Sequence, residues 1–159
     1  MPERVAPKET PARQLATFIA RYDPPVQKLI RAARGAMRRT YPTAIELVYD
    51  GFNALAIGFC STQRTSDCLV SVAAYPRGVS LYFYYGASLP DPSGRFEGAG
   101  HQGRFIRFEG AHTVREPAVK RLLKAAALHA RTPLPTSGRG ALIIKSIAPR
   151  RRSRSSRKA

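Results

Sequence analysis

Two carboxylates on one predicted strand are the first side chains in this sequence that could bind a ligand. Glu46 and Asp50 lie four residues apart, and the alternation of polar and apolar residues puts both on the same strand face. At the usual rise they are about 13 Å apart, so a shared hard cation would need another oxygen ligand from a neighbouring strand. The alternative, which we favour, is a polar sheet face or pairing with some of the many arginines.

No constellation of side chains in the sequence predicts catalysis. His101, His112 and His129 fall in a predicted loop, turn and helix, without partners in an order typical of a catalytic triad. Cys60 and Cys68 flank a polar loop, and we expect two partly buried thiols there rather than a disulfide. Further ligands at the short spacing of a zinc site do not accompany them. We therefore expect a protein that is not an enzyme.

Tyrosines on the fourth predicted strand suggest a second kind of ligand surface. Tyr82 and Tyr84 share one strand face, and exposed aromatic rings can stack a base or another planar ligand. Burial beneath a helix layer is the alternative, because aromatic side chains on strands usually pack. Our hypothesis places these tyrosines on one ligand-binding side of the sheet together with Glu46, Asp50 and Asn53.

The net charge of +17, from 27 basic and 10 acidic residues, predicts attraction to polyanions. One group of basic candidates shares a face of the predicted second helix: Lys28, Arg31, Arg34 and Arg38. A second group belongs to the Arg/Ser-rich C-terminal tail: Arg150, Arg151, Arg152 and Arg154. The tail carries six positive charges, and the chain without it still has +11. Contact with six or more phosphates would give salt-dependent, sequence-independent nucleic-acid binding, whereas a solubilising tail of no defined role is the alternative.

Helices and strands must position these side chains, and the sequence pattern predicts both. Helical spacing of apolar residues predicts helices over Pro11 to Tyr22, from the N-cap Asp23 to Pro42, and over Pro117 to Ala130. Period-two alternation predicts strands over residues 44–50, 55–59, 69–75, 79–85 and 104–108, and residues 141–147 can add a short edge strand. The prediction is an α+β two-layer sandwich with a mainly antiparallel sheet of about five strands.

Several segments of the strands and loops resemble one known family. They are Ala44-Ile45-Glu46-Leu47-Val48-Tyr49-Asp50, Ala74-Tyr75-Pro76-Arg77, Leu81-Tyr82-Phe83, Leu89-Pro90-Asp91-Pro92, Gly98-Ala99-Gly100 and Leu142-Ile143-Ile144-Lys145-Ser146-Ile147. The chain from about residue 23 to 147 is similar to the YdhG-like family of small bacterial domains, which includes a frataxin-like iron chaperone. The resemblance implies an α+β fold and allows a ferrous iron role, for which Glu46 and Asp50 are the candidate ligands.

The predicted organisation is a flexible N-terminus over residues 1–10, one domain over 11–147 and a disordered basic tail over 148–159. No apolar stretch reaches the roughly 18 residues that span a bilayer, and the N-terminus lacks the apolar core of a secretory signal. We therefore expect a cytoplasmic protein without membrane association. The first hypothesis is a non-enzymatic domain that binds a small ligand, a metal ion or a protein partner. The second is a polyanion-binding accessory protein.

Overall fold

Three helices and six strands form the regular structure of residues 9–51 and 53–148, the part of the chain that the computed structural model describes. The helices are α1 (Pro11–Ala20), α2 (Pro24–Thr40) and α3 (Pro117–Leu128). The strands are β1 (Ile45–Asp50), β2 (Leu55–Cys60), β3 (Cys68–Tyr75), β4 (Gly78–Phe83), β5 (Arg104–Phe108) and β6 (Leu142–Ile147). Short 3₁₀ turns occupy Thr65–Asp67, Gly86–Ser88 and Ala111–Arg115. The α+β prediction is confirmed, with six strands rather than about five.

The strands form one sheet in the order β5-β4-β3-β2-β1-β6. Neighbours pair antiparallel except for β1 and β6, which run parallel. The amide of Glu46 donates to the carbonyl of Ala141 over 2.9 Å, and the amide of Ala148 donates to the carbonyl of Asp50 over 2.7 Å. These bonds extend the β1–β6 ladder beyond both ends of β6, so the last strand is fixed along the whole of β1.

The core lies between one face of the sheet and the helices. One row of aliphatic side chains crosses all six strands in register: Ile144, Val48, Ile57, Val72, Leu81 and Ile106. The helices cover this row with buried apolar residues: Leu15, Phe18, Ile30, Met37, Val119 and Leu122. Because the row runs through every strand, burying this face stabilises the sheet and the helix layer together.

The helix starts follow the sequence signals in different ways. The Thr10 hydroxyl accepts a hydrogen bond from the amide of Arg13 over 3.2 Å and caps α1. Asp23 occupies the predicted N-cap position of α2, but its side chain makes no capping hydrogen bond. Pro24 and Pro25 fill the first two helical positions and have no amide hydrogen to donate. The prolines and the buried apolar face therefore define this helix start, rather than a side-chain cap.

Two predictions fall wholly or partly outside the described residues. The predicted flexible N-terminus overlaps the structure only at residues 9 and 10, where Thr10 caps α1. Of the predicted tail only Ala148 is described, so its candidate arginines remain sequence predictions: Arg150, Arg151, Arg152 and Arg154. Among the described helices, none has the length and apolar character needed to cross a membrane.

Candidate functional site

Glu46 lies on the helix-covered face of β1 and is paired with arginines of α2. It is 4% exposed. The Arg34 guanidinium donates from Nε to Oε1 over 2.7 Å and from Nη2 to Oε2 over 3.3 Å. The Nε atom of Arg38 lies 3.6 Å from Oε2. This buried carboxylate with two cationic partners holds α2 against the sheet. The arrangement matches the predicted alternative of arginine pairing and not a carboxylate free to bind a ligand.

Asp50 lies on the same face of β1, two residues beyond Val48, and pairs with α1. It is 1% exposed, and Nη1 of Arg21 donates to its Oδ2 over 2.9 Å. Arg21 is the residue that follows the last turn of α1, and its guanidinium carbon lies 5.4 Å from the centre of the Phe18 ring. Asp50 therefore fastens α1 to the sheet as Glu46 fastens α2.

The predicted iron ligands do not form a metal-binding group with other side chains. Within residues 9–51 and 53–148, no three His, Cys, Asp or Glu side chains are grouped closely enough to hold a metal ion. Hard cations favour several oxygen ligands, and Glu46 and Asp50 each face an arginine instead. The geometry therefore favours ion pairing over iron binding at these two positions.

Tyr82 and Tyr84 lie on the opposite face of the sheet, so the predicted common ligand side is wrong. Glu46 pairs with Phe59, Phe59 with Val70 and Val70 with Phe83, and paired residues share a face. Tyr82 neighbours Phe83 and must point the other way, because successive strand residues alternate. Asn53 is exposed in the turn between β1 and β2 and joins neither group.

Tyr82 and Tyr84 are packed, but they lie on the sheet face opposite the helices, so burial beneath a helix layer is not the cause. Their rings meet edge to face, with centroids 5.4 Å apart. The Tyr82 hydroxyl lies against Gly103, where an added Cβ would stand 1.8 Å from the oxygen. Burial and the neighbouring cysteines Cys68 and Cys60 raise the pKa of Tyr84. The rings are half-buried by each other and by a loop, so they form part of a packed patch rather than an open stacking platform.

Cys60 and Cys68 are free thiols beneath this tyrosine patch. Both are buried, and they face each other across β2 and β3. An added Cβ at Gly58 would stand 2.7 Å from the Cys68 sulfur and 3.5 Å from the Cys60 sulfur, so the glycine makes room for both. A hydrogen bond with Cys68 and burial raise the pKa of Cys60. A raised pKa keeps Cys60 in its thiol form, which is a poor nucleophile. Both cysteines pack with Leu47 in a small apolar cluster.

The predicted basic candidates of α2 separate into two groups. Lys28, Arg31 and Arg38 are exposed, whereas Arg34 is half-buried with its guanidinium on Glu46. Arg34 is therefore a structural partner of the carboxylate more than a surface cation. The exposed members continue at the end of α2 into Arg39, which is exposed as well.

A pocket of about 340 Å³ at the end of α2 gathers cations that the sequence separates widely. Arg38 and Arg39 come from the last turn of α2, and Arg139 comes from the segment that precedes β6. Glu46 is the acidic residue in its lining, and Arg34 already binds that carboxylate. We call this the arginine pocket. A guanidinium group can donate two parallel hydrogen bonds to two oxygens of one phosphate, so the pocket suits a phosphate-bearing ligand.

Sequence reasoning missed Arg139 and did not single out Arg39. The charge of Arg139 gives no hint of a site, because it stands alone between Gly138 and Gly140 in a predicted linker. Only the parallel docking of β6 brings it beside α2. The three histidines are not brought together in one pocket, and the Nδ1 atom of His129 lies 2.9 Å from the carbonyl oxygen of Ala125 on its own helix.

Comparisons of the chain with family models, with curated proteins and with solved structures found no match. The fold is of the α+β class, and the arginine pocket lies where the end of α2 meets the segment before β6. The resemblance to the YdhG-like family, and the ferrous iron role that it allows, stay predictions from the sequence.

Proposed function

We propose that this protein is a non-enzymatic polyanion-binding protein whose ligand is a nucleic acid, held by phosphate contacts at the arginine pocket. The observation that carries the proposal is the convergence of Arg38, Arg39 and Arg139 around a pocket whose carboxylate, Glu46, already has Arg34 as its partner. Arg38 also lies 3.6 Å from Glu46, so one carboxylate faces four arginines, and the excess positive charge is available to an external anion. Such contacts release counterions and give binding that is independent of sequence and steeply dependent on salt.

The exposed cations of α2 extend this surface toward the start of the helix. Lys28 and Arg31 are exposed on the same helix as Arg38, at spacings of three and seven residues. Residues three, four or seven apart lie along one side of a helix, so the three form a stripe that leads away from the arginine pocket. A phosphate backbone that lies along α2 can therefore contact the stripe and the pocket together.

The small-ligand and iron hypothesis has less support from the geometry. Its residues lie on two faces of the sheet, and its carboxylates are paired with arginines. The proposal also makes the candidate arginines of the tail additional phosphate contacts, although they lie outside the described residues.

The test is fluorescence anisotropy with a labelled 20-base-pair DNA, measured over a series of salt concentrations. The variant changes Arg38, Arg39 and Arg139 to Gln. If each residue contacts one phosphate, the slope of log Kobs against log salt falls by about 2.7. The matched control removes the same charge at three exposed arginines elsewhere: Arg64, Arg77 and Arg107.

Circular dichroism and thermal unfolding of both triple variants test whether they remain folded. A slope that falls only in the pocket variant supports the proposed interface. An equal fall in the two triple variants would contradict it, because the affinity would then depend on net charge and not on the pocket.

A further inference from the structure

A second concavity, next to the arginine pocket, combines an apolar floor with a cationic rim. Its volume is about 580 Å³, it is open to solvent, and its lining residues come from α2, the Ala111–Arg115 turn, α3 and the segment at Leu134. Ligand sites of small molecules usually have volumes of about 300 to 1,000 Å³. We call this concavity the α2–α3 groove. Because four separate segments contribute to its walls, its shape suits one small ligand rather than a long partner helix.

The floor of the α2–α3 groove is aliphatic. Leu123 is 3% exposed, and half-buried Val114, Ala127 and Leu134 pack against the main core around it. Tyr41 also lines the groove, but it is 3% exposed, and its hydroxyl donates to the carbonyl of Leu123. The ring therefore belongs to the core and offers no open face on which a base could stack. An aliphatic floor without a stacking ring favours an alkyl chain over a nucleotide.

The rim of the groove carries four exposed cations and no acidic lining residue. Arg39 comes from α2, Arg115 from the 3₁₀ turn, and Lys120 and Lys124 from successive turns of α3. None of them forms an ion pair with a carboxylate in residues 9–51 and 53–148, where the paired arginines are Arg21, Arg34, Arg38 and Arg95. Long lysine side chains can lay their methylene stems on apolar surface and keep the ammonium in water.

We propose that the α2–α3 groove binds a single-chain amphiphile with a phosphomonoester head, the alkyl chain on the aliphatic floor and the phosphate among the four rim cations. A phosphomonoester carries about −1.5 to −2 charges at pH 7, so it matches a rim of several cations better than a carboxylate of one charge does. This ligand class differs from the nucleic acid assigned to the arginine pocket. Arg39 and Tyr41 line both concavities, so the two sites adjoin.

The first measurement is an isothermal titration of decyl phosphate, below its micelle concentration, into the full-length protein. We expect saturable binding of one molecule per chain. Inorganic phosphate lacks the alkyl chain and so tests the contribution of the aliphatic floor. Decyltrimethylammonium has the chain but a cationic head, and so tests the contribution of the cationic rim. Both should bind at least tenfold more weakly than decyl phosphate. Comparable affinity for either probe would overturn the proposal, as would the absence of saturable decyl phosphate binding.

Two pairs of variants locate the ligand. Lys120→Glu with Lys124→Glu should weaken decyl phosphate binding at least tenfold, while Lys28→Glu with Arg31→Glu makes the same charge change outside the groove and should leave it unchanged. Leu134→Ser should weaken binding about tenfold, the equivalent of part of one buried apolar side chain. Leu128→Ser is its control, because Leu128 is 73% exposed on α3.

Equal losses in a groove variant and its control would overturn the assignment of the groove. An acidic amphipathic peptide is titrated in parallel, and binding of that peptide without binding of decyl phosphate would also overturn it. The Leu134→Ser variant should bind DNA with the same dependence of log Kobs on log salt as the unaltered protein. Failure of the amphiphile proposal is therefore separable from failure of the nucleic-acid proposal. Thermal unfolding identifies any variant that is not folded, and the other variant pair then decides the outcome.

Discussion

At the scale of single residues, Glu46 and Asp50 join the helices to the sheet through buried ion pairs. Both carboxylates flank Val48 on the core face of β1, and each takes a guanidinium from a different helix. A buried charge without its partner is costly, so each arginine and its carboxylate must be kept together. The polarity that suggested a ligand site in the sequence instead specifies how α1 and α2 sit on β1.

Replacing Glu46 by Gln should lower the free energy of unfolding by about 1 to 3 kcal/mol, because Arg34 and Arg38 lose a charged acceptor. The loss should stay below that of a fully buried pair, since the Arg34 side chain is 24% exposed and can still contact water. Urea unfolding at neutral pH measures it. Glu109→Gln, at an exposed position, is the control, and equal stability of the two variants would contradict a structural role for Glu46.

At the scale of elements, the docking of β6 depends on a close approach of two backbones. Gly140 precedes β6, and an added Cβ there would stand 1.9 Å from the carbonyl oxygen of Ala44, just before β1. No side chain can occupy that position unless the strands move apart. The same approach brings Arg139 into the arginine pocket, so strand docking and the candidate site are coupled.

The Gly140→Ala variant should therefore lose about 1 to 3 kcal/mol of stability through overpacking against backbone atoms. Hydrogen exchange should accelerate at the amides that join β1 and β6, such as that of Glu46. Gly78→Ala provides the comparison, because an added Cβ at Gly78 would meet no atom within 4 Å. If the two alanine variants exchange and unfold alike, the close approach at Gly140 does not limit the docking of β6.

The sequence predicted the elements better than their register. The positions of the prolines and the spacing of apolar residues predict the ends of the helices and strands to within a few residues of those observed, because these signals are local. The face that each strand presents depends on which residues pair across neighbouring strands, and these pairings join residues far apart in the sequence. Glu46 shares its face with Phe59, Val70 and Phe83 through these pairings, and similar polarity of Tyr82 and Glu46 carries no information about the face. Predicting the arginine pocket would have required the path of the chain before β6, and no local sequence pattern encodes that path.

At the scale of the whole molecule, the positive charge is spread over the domain and the tail. Residues 9–148 contain 19 basic and nine acidic residues, and three of those carboxylates, Glu46, Asp50 and Glu116, take arginines into ion pairs. The domain therefore remains strongly basic without its tail. A field of that size accelerates encounters with polyanions at low ionic strength and weakens as salt screens it.

Truncation after Ala148 should leave the thermal midpoint unchanged, because the core cluster and the residues packed against it, up to Ile144 of β6, all precede the cut. The six charges of the tail should contribute up to about 5 to the salt slope of DNA binding, if each contacts a phosphate. Anisotropy against salt measures the slope. A full-length variant with Gln at all six basic tail positions separates charge from chain length, and an unchanged slope in both proteins would remove the tail from the interface.

The position of β6 in the chain has a consequence for synthesis on the ribosome. β1 to β4 form a continuous meander, whereas β6 begins only at Leu142, so β1 is an unpaired edge until that segment has been synthesised. Exposed edges invite pairing with other nascent chains, and inward-pointing charges are one device that prevents it. Glu46 and Asp50 place two such charges on the core face of that edge. We expect these carboxylates to keep unfinished chains from aggregating until the last strand covers β1.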